Sequence, residues 1–443
     1  MSFQQGVTGL NAAGKNLDVI GNNVANASTI GAKAARAEFA DIYSRAAGAG
    51  QSAGIGVSTA AVAQQFSQGN ISSSNNPLDI AINGNGFFQL KDANGLVQYS
   101  RNGQFKVDNK GFVTNDQGLK LLGHEINSMG SAVPGPATSI QLPTAGIAPT
   151  TTSAIRLEIN LDARSKTTST VALAADPAAT SNIDFNNDKT YNNATSLNVY
   201  DKKGQTVGLT YFFQKTDVAD TWNVYASASG EAVVVPKGSP AVPVATVTFA
   251  PDGQTVTSLK DSTGSSTDAN GTAYSTTAFP LPQIPSTGTG ALITEPIDGI
   301  KLDIGKLTQY GAVFGPTDVS QNGFAPGRLT SVAVQDNGTI VASYSSGQSA
   351  PIAKLELATF RNVQGLQPLG GNSWSASFSS GDPVLGDPGG GNLGLLASQS
   401  LEESNVDLTG ELVNMMVAQR IYQANAQTIK TQDSVMQTLV NLR

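Results

Sequence analysis

The chain has 443 residues, enough for two to four domains at about 100–200 residues each. Hydrophobic residues make up 39%, aromatic residues 6% and charged residues 13%, and 26 basic against 33 acidic side chains leave a net charge of −7. With no cysteine and a single histidine, His124, the composition excludes disulfides, thiolate metal sites, cysteine nucleophiles and multi-histidine zinc sites, and it supplies no basic stripe for nucleic acid.

The first segment, MSFQQGVTGLNAAGKNLDVIG, has neither a basic start nor a continuous apolar core, so no cleavable secretory signal is expected. No run of 18 apolar residues exists to form a membrane-spanning helix. Phe3, Leu10, Leu17 and Val24 recur every seven residues, and three positions after each stand Gly6, Ala13, Ile20 and Ala27. This is an a/d seam in which the d-type positions are mostly small, so a partner helix could approach closely. Lys15 and Asp18 are the only charges before Lys33. That pattern fits either an ordinary core helix or one surrounded by other helices with few faces left to water.

Residues 44–76 are rich in Gly, Ala, Ser, Gln and Asn and read as a low-complexity linker or extended arm. From Leu78 to Leu122 turn signals come at short spacing: Asn83-Gly84, Asn94-Gly95, Asn102-Gly103, Asn109-Lys110-Gly111 and Asp116-Gln117-Gly118. The apolar runs 87–90, 104–107 and 119–122 lie between them, an antiparallel β pattern. A similar texture returns over 328–378, with Asp336-Asn337-Gly338 as its clearest turn. Between these, 149–320 is rich in Thr, Ser and Ala, has β-branched runs at 206–213 and 245–249, and has a loop cluster at Pro280, Pro282 and Pro285. It reads as an all-β insertion whose two ends return to one parent domain.

At the C-terminus, Leu408, Met415, Tyr422, Ile429 and Met436 recur every seven residues, interleaved with Leu412, Gln419, Ala426, Asp433 and Val440. Ser404 with Asp407 three residues later reads as a capping box, and the spacing predicts a helix over about 405–442, with acidic residues early and basic ones late. Glu402-Glu403 reads as a solvated pair near the helix start, since adjacent helical side chains diverge. Gly84-Asn85-Gly86 precedes a strand and is a turn, not a dinucleotide fingerprint. Asp184, Asn186 and Asp188 resemble the first ligands of a calcium loop, but Lys189 stands where the loop glycine belongs, so a polar turn is expected. Trp222 and Trp374 read as core residues. No catalytic, cofactor-binding or metal residues are expected.

The stretch Leu10 to Ala13, followed by Leu17-Asp18-Val19-Ile20-Gly21-Asn22-Asn23-Val24-Ala25-Asn26 and Ala27 to Lys33, resembles the N-terminal motif of bacterial flagellar rod, hook and hook-junction proteins. Those proteins usually carry an aromatic residue where Ala32 stands here. Asn85-Gly86-Phe87-Phe88 and Tyr99-Ser100-Arg101-Asn102-Gly103-Gln104-Phe105 look like the first β-domain motif of the family. Leu401-Glu402-Glu403-Ser404-Asn405-Val406-Asp407-Leu408, Glu411-Leu412-Val413, Ala418 to Ala426, Thr428 to Asp433 and Leu439 to Arg443 are similar to its C-terminal signature.

The resemblance implies a mixed, mainly β fold. Its nested all-β domains would be barrel- or sandwich-like, and its terminal helices would pair as a coiled-coil-like inner core. The expected layout is a helical core of 1–30 and 405–443, a linker or arm over 31–70, a β domain of 71–148 with 322–404, and an inserted all-β domain over 149–321. The long insertion sets the chain apart from rod members and fits hook members better than hook-filament junction members; a secreted β-rich adhesin is the remote alternative. The resemblance also implies a helical homopolymer forming a hollow tube. Its partners would be rod, hook-cap and junction proteins and the type III export apparatus, and its location extracellular, on the flagellum beside the basal body. Phe3, Leu10, Leu17, Ile20, Val24, Leu408, Leu412, Met415, Tyr422, Ile429 and Met436 are the expected self-assembly residues. No nucleic acid, membrane insertion or enzymatic activity is expected.

Overall fold

The computed structural model describes residues 2–42, 56–127, 132–143, 146–168, 183–233, 241–262, 266, 278–281, 283–284 and 294–441. A helix lies near each end, α1 (Ser2–Ala25) and α2 (Leu408–Asn441), and strands dominate the rest, as expected for a mainly β fold. Pro282, Pro285, Leu442 and Arg443 lie outside the described residues.

The helix starts later than the sequence suggests. Asp407 is the N-cap: its Oδ1 accepts from Thr409 N at 3.0 Å and its carbonyl takes Glu411 N. The expected capping box is not formed, and Ser404 Oγ accepts instead from Val406 N at 3.3 Å. The reason is tertiary. Residues Ser400–Glu402 are a strand paired with Ile71–Ser73, so the chain cannot turn helical until it has left that ladder.

The chain divides into two compact units, the first of which contains both helices. The first contains 1–144, 329–343 and 349–443; the second contains 145–328 and 344–348.

In the first unit, the linker or extended arm expected over 31–70 contains strands. β1 (Ala35–Ile42) pairs antiparallel with β2 (Gly56–Gln64), and Ile71–Ser73 joins the C-terminal strand already described. The sequence expectation missed these strands because their exposed, small-residue surfaces carry no apolar alternation. Strand Phe87–Lys91 explains the unbroken apolar run there. Successive side chains point to opposite faces, so Phe88 and Leu90 enter one core with Ile80, Ile82, Phe105 and Leu121. Phe87 enters an aromatic cluster with Tyr99, Phe360 and Trp374 on the other side. Most expected turns form: Gly95, Gly111, Gly118 and Gly338 each close a tight turn by donating to the carbonyl three residues back. Asn102-Gly103 is a correction. Gly103 accepts from Ile80 N, and a Cβ at Gly103 would collide with Ile80 O, so this glycine serves a close backbone approach and not a hairpin.

Among its described residues the second unit is built of strands, apart from one short 3-10 turn at Asp188–Thr190. A sheet orders Asn193–Tyr200, Thr206–Lys215, Thr221–Ala228, Ala245–Phe249 and Val256–Asp261, and a second sheet joins Ala278–Pro280, Lys301–Asp303, Ala154–Asn160 and Gly315–Gln321. In Thr206–Lys215 the odd positions Val207, Leu209, Tyr211 and Phe213 all enter the core around Trp222. The indole Nε1 of Trp222 donates to Gln309 Oε1 at 3.0 Å. The two ends of the unit run side by side: Ile147 bridges Gly327, Thr150 bridges Phe324, and Ile155 to Asn160 pair antiparallel with Gln321 to Gly315.

Candidate assembly site

α1 and α2 pack antiparallel. A Cβ at Gly6 would lie 3.0 Å from Ile429 Cγ1, one at Gly9 would lie 2.9 Å from Asn425 Oδ1, and Tyr422 approaches Gly14. At the far end Asn23 Nδ2 reaches Glu411 Oε1 at 3.3 Å. Gly6, from the expected row of small residues, and Gly9 and Gly14, which lie off it, bring the two backbones close.

Of the expected seam residues, Ile20 is buried and Leu10, Leu17, Val24, Met415 and Ile429 are half-buried. The side chain of Phe3 lies outside the described residues. Leu408, Leu412, Tyr422 and Met436 are 46%, 45%, 39% and 61% exposed in the single chain. The second row of the intrachain seam is Glu411, Ala418, Asn425 and Gln432, all at least half-buried. Leu412, Gln419, Asp433 and Val440, expected in that row, are exposed. Ala418 is buried because the backbones are close; the missed signal is that small and amide residues recur three positions after Met415, Tyr422 and Ile429. A cavity of about 410 Å³ opens beside this contact, lined by Val19, Ile20, Arg36, Val417, Ala418 and Ile421 among others.

The ends of both helices are stitched to the strands by polar residues that composition does not reveal. Asn23 clasps Ala35 from both sides, accepting its N–H at 2.8 Å and donating to its carbonyl at 2.8 Å. Asn405 accepts from Ala34 N at 2.8 Å and donates to Gln65 O at 2.8 Å. Glu402, expected to be solvated, is fully buried between Lys33 Nζ at 2.5 Å and Arg101 NH1 at 3.1 Å. Strand geometry sends Glu402 inward and Glu403 outward, whereas a helical reading had put both in water. Gly31, at φ +70°, donates to Glu402 O at 2.8 Å, and any Cβ there would meet Asn102 N at 2.6 Å.

The residues considered for chemistry have plain structural work. Asp184 Oδ1 accepts from Asn186 N at 3.0 Å and Asn187 Oδ1 from Lys189 N at 3.1 Å, which makes a polar turn. His124 Nε2 lies 3.3 Å from Glu356 Oε1 within a strand. Among the described residues no group of three or more metal-ligating side chains gathers. Trp222 and Trp374 are both buried, as expected.

Terminal helices that pair with each other, with β units between them, are the arrangement expected above of an axial protein of the bacterial flagellum. Four known families match the chain in that order. Residues 3–33 match "Flagella basal body rod protein", 81–163 "Flagellar hook protein FlgE/F/G D1 domain", 160–324 "Flagellar basal body protein FlaE D2 domain", and 397–442 "Flagellar basal body rod FlgEFG protein C-terminal". The chain is 39% identical to the flagellar hook protein FlgE of Escherichia coli K12 over 446 residues, and 37% identical to that of Salmonella typhimurium LT2 over 450, covering all of each chain. It is also 30% identical to FlgE of Rhizobium meliloti, covering 98% of that protein. The crystal structure of Helicobacter pylori flagellar hook protein FlgE2 shares the fold at a TM-score of 0.50 and 13% identity, over 75% of this chain and all of that one. The chain belongs to the flagellar hook protein FlgE family, and its role is that of a structural subunit of the hook.

Proposed function

We propose that copies of this chain assemble into a hollow, curved, flexible tube that joins the motor rod to the filament and transmits torque as a universal joint. The observation that carries this reading is the surplus apolar surface of α2. Gly6 of α1 sits against Ile429 and Ser2 begins the helix, so the last turns of α2 run past the start of α1. Val435, Met436 and Val440 stand there 47%, 61% and 71% exposed, with no other helix beside them among the described residues. Leu412, Val413, Met416 and Val417 add further exposed apolar surface. A second copy supplies the missing cover. Because the contacting patches differ, the interface is heterologous, and a rotation that does not close generates a helix of subunits.

In this reading residues 1–30 and 405–443 line the channel, 71–148 with 322–404 form a middle shell, and 149–321 form an outer shell. The seam residues Leu10, Leu17, Ile20, Val24, Leu408, Leu412, Met415, Tyr422, Ile429 and Met436 are the assembly contacts, and Phe3 belongs with them. Rod, hook-cap and junction proteins are the partners at the two ends of the tube. The type III apparatus exports the chain, and the chain performs no catalysis. Electron microscopy of the concentrated protein tests this: curved tubes are expected, and dispersed particles or closed rings at every concentration would count against it.

A further inference from the structure

Three remote stretches of sequence meet in one buried ion cluster. Lys33 follows α1, Arg101 follows strand Val97–Ser100, and Glu402 precedes α2. The side chains of Lys33 and Glu402 have no exposure and that of Arg101 has 4%. Glu402 Oε1 accepts from Lys33 Nζ at 2.5 Å and from Gly69 N at 3.0 Å, and Oε2 accepts from Arg101 NH1 at 3.1 Å. Lys33 also donates to Ser67 O at 2.8 Å and Arg101 to Gly84 O at 2.9 Å, while Arg101 stacks over the Phe87 ring. Arg101 Nε is buried without a partner. Two cations thus share one carboxylate, and among the described residues no other carboxylate pairs with either. Burial pushes the basicity of both cations down, against the pull of Glu402.

Removing one partner of a buried ion cluster leaves charge with no compensation, which is far worse than having no charge there at all. Here the vulnerable state is built into the chain. Residues 31–35 cannot settle onto the strands without bringing Lys33 into the site of Arg101, and the compensating charge of Glu402 arrives 369 positions later. We propose that Glu402 licenses the docking of the N-terminal arm, so that the arm seats only when the C-terminal arm has arrived. The same residue then fixes the register of both arms, since its carbonyl accepts from Gly31 N and its carboxylate from Gly69 N.

Hydrogen exchange on the full chain tests the proposal, read on peptides covering 29–36 and 65–70, with a peptide from strand Phe87–Lys91 reporting that the β unit is folded. Glu402→Gln keeps the shape and removes the charge, and it should raise exchange at 29–36 by about tenfold or more. Adding Lys33→Met and Arg101→Met to Glu402→Gln should restore protection to within about threefold of the parent. If the triple variant exposes the reporter strand, Lys33→Met/Glu402→Gln and Arg101→Met/Glu402→Gln, each with one cation fewer, should recover part of the protection. Unchanged exchange in Glu402→Gln would overturn the proposal. So would a failure of the charge-removing variants to recover, since Glu402 would then act by hydrogen bonding and packing alone.

Discussion

The Tyr211 hydroxyl is wholly buried in the core of the inserted unit and has no hydrogen-bond partner. A buried donor without a partner costs its desolvation in full, so Tyr211→Phe should stabilise this unit by about 1–2 kcal/mol in urea unfolding. A loss of stability would show that the hydroxyl is satisfied in solution. The tyrosines also set the alkaline limit. Burial drives Tyr211 far above the ordinary phenol value of 10.0 and pushes Tyr225 up to about 12. Between these values the unfolded chain releases protons that the folded chain keeps, so the tyrosine contribution is whole below pH 10 and falls as the pH climbs from 10 to 12. Lys33, whose pKa is lowered by burial, opposes this, because the unfolded chain holds its proton up to about 10.5 while the folded chain releases it earlier. Stability should still decline from pH 10, and less steeply in Tyr211→Phe; identical slopes would contradict the assignment. At this scale the sequence showed the apolar anchors but not the charges. Trp222 and Trp374 were legible as core because a large indole within a β segment is most simply buried, and both are. Glu402 was not, because its burial depends on Lys33 and Arg101, which are distant in sequence.

Capping distinguishes the two possible starts of α2. Asp407→Ala should cost about 1 kcal/mol because it removes the acceptor of Thr409 N, while Ser404→Ala should cost only a few tenths. Thermal unfolding followed at 222 nm measures both, and an equal or reversed order would contradict the observed start. The seven-residue repeat marked both helices, and of its first row Tyr422 and Ile429 lie along the α1 contact. The second row was misplaced by one position. Apolarity was the criterion used, and the real row is made of Ala418, Asn425 and Gln432, chosen for size and hydrogen bonding where backbones approach. The run at 245–249 coincides with a strand, whereas the run at 206–213 stops two residues short of its strand, Thr206–Lys215. The ribbon of β1 and β2 was missed because its faces are largely exposed.

The nested arrangement was legible because an inserted unit must enter and leave its parent at neighbouring points, and composition changes on both sides of it. Ile147 and Gly327 now sit paired at the base of the second unit. Replacing 148–326 by a short Gly-rich link should therefore leave the remaining chain folded, with one cooperative transition by calorimetry. Loss of that transition would show that the first unit depends on the second. The account as a whole rests on the terminal helices holding copies together. Met436 isolates that claim, since it is 61% exposed in the single chain, and Asp433 lies on the same side one turn away. Met436→Asp should leave the thermal unfolding of the monomer within about 0.5 kcal/mol of the parent. Buried in a tube, the unpaired carboxylate would cost several kcal/mol in every subunit. The decisive measurement is polymer yield by sedimentation, comparing Met436→Asp with the surface change Asp217→Asn. The account predicts that Asp217→Asn forms polymer like the parent while Met436→Asp stays in the supernatant as folded monomer. Parental yield from Met436→Asp would contradict it.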